Sequence, residues 1–315
     1  MKKKSELECI IKLYRRMRNV YVKCRYYHLR SKKDTLKHVV IMFIDDRHLM
    51  HHPGLADRLK SIIGMYYIAI RNGFEFKLRF DNPFQLEKYL QPNKVNWLLE
   101  DRDVDHGMFT TKLIMYDGAE EMPRFDNEIN QYHCYFYTGH NNLQYHQIEN
   151  WEERWQDMFH ELFRPSEYLE NLLNQELPKE RYVAVHFRFV NALGEFEKGY
   201  KCRLARSEQS QLVDKCFAKI EDIVNKEDNP LCIVSDNKYF LYIAGKRGYM
   251  TLGTENIRHI SFESDRKSHD KTFVDFFALS KAQKVYVVHG GALYNSVFPY
   301  YAAIIGDVPY IVENI

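Results

Sequence analysis

Between positions 182 and 191 the chain reads Tyr-Val-Ala-Val-His-Phe-Arg-Phe-Val-Asn, an apolar run that takes in a His-x-Arg pair before dissolving into Asn191, Gly194 and acidic residues. A run this apolar and this rich in valine predicts a strand buried on both faces, as in a parallel sheet covered by helices. Charged side chains do not belong inside such a strand, so His186 and Arg188 are expected at its carboxyl end. In an open α/β sheet that end is where ligands bind. An arginine delivered there suits a phosphate, because its planar fork donates two parallel hydrogen bonds. Pairing with a nearby carboxylate is the other use of the same group.

The remaining sequence alternates in kind around that stretch. Residues 38–44 form an apolar run ending in Asp45-Asp46, and a loop with His51, His52 and Pro53 leads into Gly54-Leu55-Ala56-Asp57-Arg58. Leu59, Ile62, Ile63, Tyr66, Tyr67 and Ile70 then recur at helical spacing and stop before Asn72-Gly73, a helix-ending pair. Residues 74–80 alternate with period two, which completes a strand–helix–strand unit. Residues 81–150 are broken by Pro83, Pro92 and Pro123, and only 112–116 reads as a further buried strand. Residues 151–173 are helical in pattern, and Leu177-Pro178 marks a boundary.

Beyond it, helices are expected over 211–224, 237–247, 272–280 and 293–305. Strands are expected over 230–236, near Met250, over 259–262 and 284–288, and over 309–312. The fold class is therefore α/β, with a first unit over 37–178, a second over 179–315, and a basic helix over 1–36.

At 315 residues the chain has room for two cores. No apolar run reaches the roughly 18 residues of a membrane span, and no apolar leader segment stands at the start. Six cysteines without CxxC spacing point to reduced thiols in the cytoplasm. The net charge of +2 hides an asymmetry: residues 1–37 hold 13 Lys and Arg against 3 Asp and Glu, and the remainder 32 against 40. That distribution excludes a globally basic nucleic-acid binder. Ile10, Leu13, Tyr14, Met17, Tyr21 and Cys24, with Val20 beside them, form an apolar stripe within the basic segment. Such a helix suits the surface of an anionic membrane, or packs on its own domain with a solvated basic face.

Polar residues that fit no core pattern recur just after strands: Asp45-Asp46, His186 and Arg188, Ser235-Asp236, and His289-Gly290-Gly291. They imply a cleft at the strand ends. Gly54, Leu55, Asp57 and Arg58 open a helix whose free N–H groups can hold a phosphate, though a glycine there also serves as a plain turn. Asp275, in an apolar helical stretch, needs hydrogen-bond donors; a guanine edge supplies two, and an ion pair with Lys271 or Lys281 supplies them equally well. Gly290 and Gly291 admit close approach to the backbone. Asn295 and Ser296 offer donors, or a helix cap, just beyond. Asp101, Asp103 and Asp105 form an acidic triplet of the kind that can hold a metal ion.

Taken in order, GLADRL after the first strand, VHFR after a later one, SDNKYFL, and DFFALSKA followed by VVHGG and NS resemble the motifs of one fucosyltransferase superfamily. It comprises the nodulation and core α1,6-fucosyltransferases and, more distantly, the protein O-fucosyltransferases, and the resemblance covers about residues 38–310. It implies a GT-B-like fold of two Rossmann-like domains facing a cleft, GDP-fucose as donor, inversion at the anomeric carbon, and no cofactor or metal. Arg188 matches the family's β-phosphate ligand, and His186 and Asp275 match the residues that hold guanine. Gly54 to Arg58, Asn295 and Ser296 match groups lining the diphosphate, and Ser235, Asp236, Gly290 and Gly291 lie in the matched motifs. The chain departs from the pattern at Phe189-Val190-Asn191, where the family carries a second basic residue and an Asp. The acidic base has no clean match; Glu195 and Glu197 flank its place. The acceptor implied is a glycan, lipid-linked if residues 1–36 lie on the inner membrane face.

Overall fold

A computed structural model describes residues 17, 20, 26–32, 34–44, 54–114, 121–134, 141–194, 203–253 and 266–315. The first sheet begins with β1 (Val39–Ile44), crosses over through α1 (Leu55–Arg71) and returns as the parallel strand β2 (Glu75–Phe80). All six residues of β1 are buried, whereas in β2 the buried Phe76, Leu78 and Phe80 alternate with an exposed Glu75 and half-buried Lys77 and Arg79. The topology explains the difference. After the short β3 (Leu90–Pro92), the strands β4 (Thr111–Ile114) and β5 (Gln131–Cys134) complete the order β2-β1-β5-β4, all parallel. Strand β1 is thus central and β2 an edge. Leu59, Ile62, Ile63 and Tyr66 carry the buried stripe of α1, which ends at Asn72 and at Gly73 in the left-handed region, φ 75°.

A short helix α2 (Asn142–Tyr145) leads to α3 (Trp151–Leu162), β6 (Phe163–Pro165) and α4 (Glu167–Glu176). The single helix expected over 151–173 is therefore two helices. Between them β6 pairs antiparallel with β3, and the Ser166 hydroxyl then caps α4 by accepting from Leu169 N at 3.1 Å. Pro165 cannot supply the amide that a continuous helix would need.

The second sheet contains β7 (Val183–Phe187), α5 (Arg206–Val224), β8 (Leu231–Ser235), α6 (Lys238–Lys246) and β9 (Met250–Thr251). It continues with α7 (Arg266–Ser280), β10 (Val285–His289), α8 (Phe298–Gly306) and β11 (Tyr310–Asn314). Its order is β11-β10-β7-β8-β9, again all parallel. Strand β7 is central and buried throughout, as its composition requires. The expected strand over 259–262 lies outside the described residues. The helix expected from 293 begins only at Phe298, with Pro299 in its first turn.

Helices fill the space between the sheets. Val40 and Met42 of β1, Trp155 of α3, Ala184 of β7, Phe273 of α7 and Tyr301 of α8 belong to one continuous apolar core. Tyr89 stacks on Phe273 with ring centroids 4.1 Å apart, and Trp155 meets Tyr301 at 4.8 Å. Helices α7 and α8 touch backbone to backbone: a Cβ on Gly306 would stand 1.9 Å from the Ser280 carbonyl oxygen. Lys88, Tyr89 and Tyr168 all reach Asp270 of α7, at 3.3, 2.7 and 2.8 Å.

Candidate functional site

The second sheet has a point where the chain reverses its direction of travel. From β7 it moves outward to β8 and β9, then returns through α7 to place β10 on the other side of β7. Helices on either side of such a switch diverge and leave a crevice at the strand ends. His186 and Arg188 stand at the end of β7, and His289, Gly290 and Gly291 at the end of β10, so the topology places them at that crevice.

Arg188 is held by Asp236, the residue after β8. Asp236 Oδ2 lies 3.3 Å from Arg188 Nε, while its two carboxylate oxygens accept from Phe189 N and Val190 N, both at 2.8 Å. Burial pushes the Asp236 carboxyl up, against the pull of Arg188 and the two amides. The loop it grips is strained: Val190 sits at φ 50°, a region a β-branched residue rarely adopts. On the other side, Tyr294 N donates to the Arg188 carbonyl at 2.7 Å, which ties the loop after β10 to the end of β7. Ser235 turns the chain into α6, its hydroxyl accepting from Asn237 N at 3.2 Å.

Two imidazoles border this loop. His186 is buried and its Nδ1 has no hydrogen-bond partner; His289 Nε2, on the neighbouring strand, has none either. Burial, with Arg188, His289 and Lys271 nearby, holds His186 down to about 3, so it is neutral at ordinary pH. Buried polar atoms without partners are uncommon in folded proteins and mark places where a ligand can complete the bonding.

Asp275, on α7, is buried and pairs with Lys271 one turn earlier. Of the two donor sources open from the sequence, the structure contains the internal one. Burial raises the Asp275 carboxyl while Lys271 lowers it. Gly290, at φ 103°, faces the chain's own Ile315: a Cβ there would stand 3.1 Å from Ile315 O. Gly291, at φ 58°, is exposed. Asn295 is exposed and does not cap α8, whose cap position is Val297; Ser296 is buried and its hydroxyl accepts from Phe298 N at 3.3 Å.

The start of α1, in the first unit, reaches α8 of the second through Lys60 and Tyr301. Gly54 precedes that helix at φ −66°, and a Cβ added there would meet nothing within 4 Å, so neither its conformation nor crowding demands glycine. Leu55 is buried, and Asp57 pairs with Lys60 at 2.6 Å, whose ammonium lies over the Tyr301 ring of α8 at 5.6 Å. Arg58 is buried; its Nη1 donates to the Asn82 carbonyl at 3.1 Å and its guanidinium lies over Phe80 at 5.4 Å. Asp45, Asp46, Glu195 and Glu197 lie outside the described residues.

The acidic triplet makes contacts within the first unit and with Lys32. Asp101 pairs with Arg79 at 2.7 Å, and Asp103 caps a short 3₁₀ turn by accepting from Glu100 N at 3.2 Å. Asp105 is buried and accepts from Lys32 N, Gly107 N and Thr110 Oγ1 at 3.0, 3.0 and 2.6 Å. The residue the sequence did not place beside His186 is Lys271, whose four-residue spacing from Asp275 was the available signal.

No protein-family model matches the chain, and no curated protein matches it in sequence. Solved structures do. A mutant of Arabidopsis thaliana FUT1 in complex with GDP aligns at 11% identity, covering 94% of this chain and 74% of that one, with a TM-score of 0.55. The fucosyltransferase NodZ from Bradyrhizobium aligns at 12% identity over 85% of this chain and 92% of its own, with a TM-score of 0.54. NodZ α-1,6-fucosyltransferase soaked with GDP-fucose aligns over the same shares with a TM-score of 0.51. At these identities the likeness is one of fold: the two parallel sheets of this chain match the GT-B architecture of those fucosyltransferases.

Proposed function

We propose that the chain is an inverting, metal-independent glycosyltransferase that moves fucose from GDP-fucose to a glycan hydroxyl. The observation that carries the reading is Arg188, set at the switch point of a parallel sheet and gripped by Asp236 beside two imidazole nitrogens without partners. The fold likeness to proteins solved with GDP or GDP-fucose supports the choice of donor. We take residues 37–178 as the acceptor-side domain and 179–315 as the donor domain.

In the transfer, the bond from the sugar's anomeric carbon to the β-phosphate oxygen breaks, and its electron pair leaves with GDP. The acceptor oxygen attacks the opposite face and forms the new bond, while its proton passes to a carboxylate, Glu195 or Glu197. Negative charge grows on the departing diphosphate, so a fixed cation and N–H donors aimed at it lower the barrier. Arg188 is the cation; the start of α1, from Gly54 to Arg58, and Asn295 and Ser296 supply further donors. Removing one such group typically costs about 10²–10³ in rate. His186 and Asp275 are assigned to the guanine.

The Lys271–Asp275 pair supports a second reading, in which the same scaffold takes another nucleotide sugar or binds one without turnover, because Asp275 already has its donor. Thermal shift with GDP, UDP, ADP and GDP-fucose separates these readings. Guanine recognition predicts a rise in melting temperature with GDP and GDP-fucose alone, and turnover predicts GDP release from GDP-fucose. Equal shifts with UDP would defeat the donor assignment. The Arg188→Ala variant should fold yet lose transfer and GDP affinity together; normal transfer by that variant would overturn the role of Arg188.

A further inference from the structure

A parallel bridge between His28 and Gly107 joins the amino-terminal segment to the loop before β4. His28 N donates to the His106 carbonyl at 2.7 Å, and Met108 N donates to the His28 carbonyl at 2.9 Å. The next residues along each segment are large, apolar and in water: Leu29 is 79% exposed, Phe109 76% and Met108 47%. They are held there by an ordered scaffold. Asp105 gathers Lys32 N, Gly107 N and Thr110 Oγ1, and the Ser31 hydroxyl bonds that of Thr110 at 2.7 Å. The loop is also close-packed, since a Cβ on Gly107 would stand 2.0 Å from Ser31 Oγ.

An apolar tip fixed in water by hydrogen bonds is costly to leave uncovered, and such patches mark interaction surfaces. The charge around it indicates what covers it. Leu29 lies within the segment 1–37 that holds 13 Lys and Arg against 3 acidic residues, and Arg30, Lys32 and Lys37 beside it are exposed. Met17 and Val20, in helical backbone of the same segment, are 65% and 58% exposed, so at these two positions the amphipathic stripe is not packed on the protein. Apolar side chains set among concentrated basic residues are complementary to an anionic bilayer, which takes the former into its interface and attracts the latter. No helix among the described residues is long and apolar enough to cross a membrane, so contact at the surface is the mode this geometry suits. The tip precedes β4 and therefore lies at the amino-terminal edge of the first sheet. The Gly54–Arg58 turn follows β1 at the opposite edge, so attachment leaves that turn uncovered.

We propose that Leu29, Met108 and Phe109, together with the basic residues Arg30, Lys32 and Lys37, seat the protein on an anionic lipid surface. This inference stands apart from the glycosyl-transfer reading and is tested without any donor. The full chain is sedimented with vesicles of phosphatidylcholine alone and of phosphatidylcholine mixed with phosphatidylserine. It should bind the mixed vesicles and not the neutral ones. The double variant Leu29→Ser/Phe109→Ser should melt at the parent temperature, because both side chains are exposed, and should lose about tenfold or more in partitioning. If the double variant binds as well as the parent, charge alone is acting and the apolar tip is overturned. If the parent binds neither vesicle, or binds both equally, the anionic surface is overturned.

Discussion

Asp236 and Arg188 are joined twice over: the carboxylate lies 3.3 Å from the guanidinium Nε and also fixes the backbone of the next two residues. One buried acceptor thus sets both the arginine's direction and the strained turn at Val190. The Asp236 side chain is only 4% exposed, so removing it takes the acceptor from two buried amides and the neighbouring carboxylate from Arg188. Asp236→Ala is expected to cost about 3–5 kcal/mol, towards the lower value because Arg188 keeps contact with water. Asp236→Asn, which retains one acceptor oxygen, should fall between the two. Urea unfolding measures both.

If Arg188 works as a fork on phosphate, lysine cannot replace it. A point charge retains attraction but not paired, directed hydrogen bonds. Arg188→Lys is expected to fold normally and to bind GDP about tenfold or more weakly, read by titration calorimetry. Unchanged affinity would assign Arg188 to holding Asp236 alone.

Acid should destabilise the protein through two histidines. Burial holds His133 and His186 down to about 3 from an ordinary 6.5. Below pH 6.5 the unfolded chain takes up protons that the folded chain refuses. The stabilisation is therefore complete above that value and falls as the pH drops towards 3. At about pH 5 each group should have lost about 2 kcal/mol. His133→Gln should remove one share, making the fall in urea stability between about pH 7.5 and pH 5 shallower than in the parent.

Gly54 and Gly290 should respond differently to alanine. Gly290 combines φ 103° with a 3.1 Å approach to Ile315 O, so Gly290→Ala should cost more than about 1 kcal/mol and loosen the end of β11. Gly54 has an ordinary φ and open space, so Gly54→Ala should change stability by less than about 0.5 kcal/mol. Any loss of GDP binding in that variant would then report on ligand approach. Thermal melting and GDP titration of the pair decide it.

Asp270 couples segments distant in sequence by accepting from Tyr89, Tyr168 and Lys88. Asp270→Ala leaves two phenol hydroxyls and an ammonium without their acceptor and should cost about 2–3 kcal/mol. Hydrogen exchange in α4 and α7 should rise together. Faster exchange in one alone would deny that Asp270 couples them.

Local pattern alone identified the central strand and the place where its polar residues begin. The valine-rich run of β7 carries its own burial signal, and His186 and Arg188 mark its end because charge cannot continue inside it. The same local logic located β1, α1, β2, β8, α6, β10 and β11, since hydrophobic period belongs to neighbours along the chain. It failed at β5, whose Gln-Tyr-His-Cys has no apolar run. Gln131 and His133 are satisfied there by each other and by Leu36, Asp103, Asp105 and Tyr26 from other segments of the chain. It also failed to show α8 beginning at Phe298, or α3 and α4 separating at β6, which depends on pairing with β3. At the site, tertiary structure decided the partners: Asp236 grips a loop 47 residues away, and the return of β10 beside β7 creates the crevice. A buried polar group must be satisfied, and which group satisfies it is fixed by the fold rather than by its neighbours in sequence. The run at 182–191 thus specified where an arginine would emerge, and the fold specified what holds it.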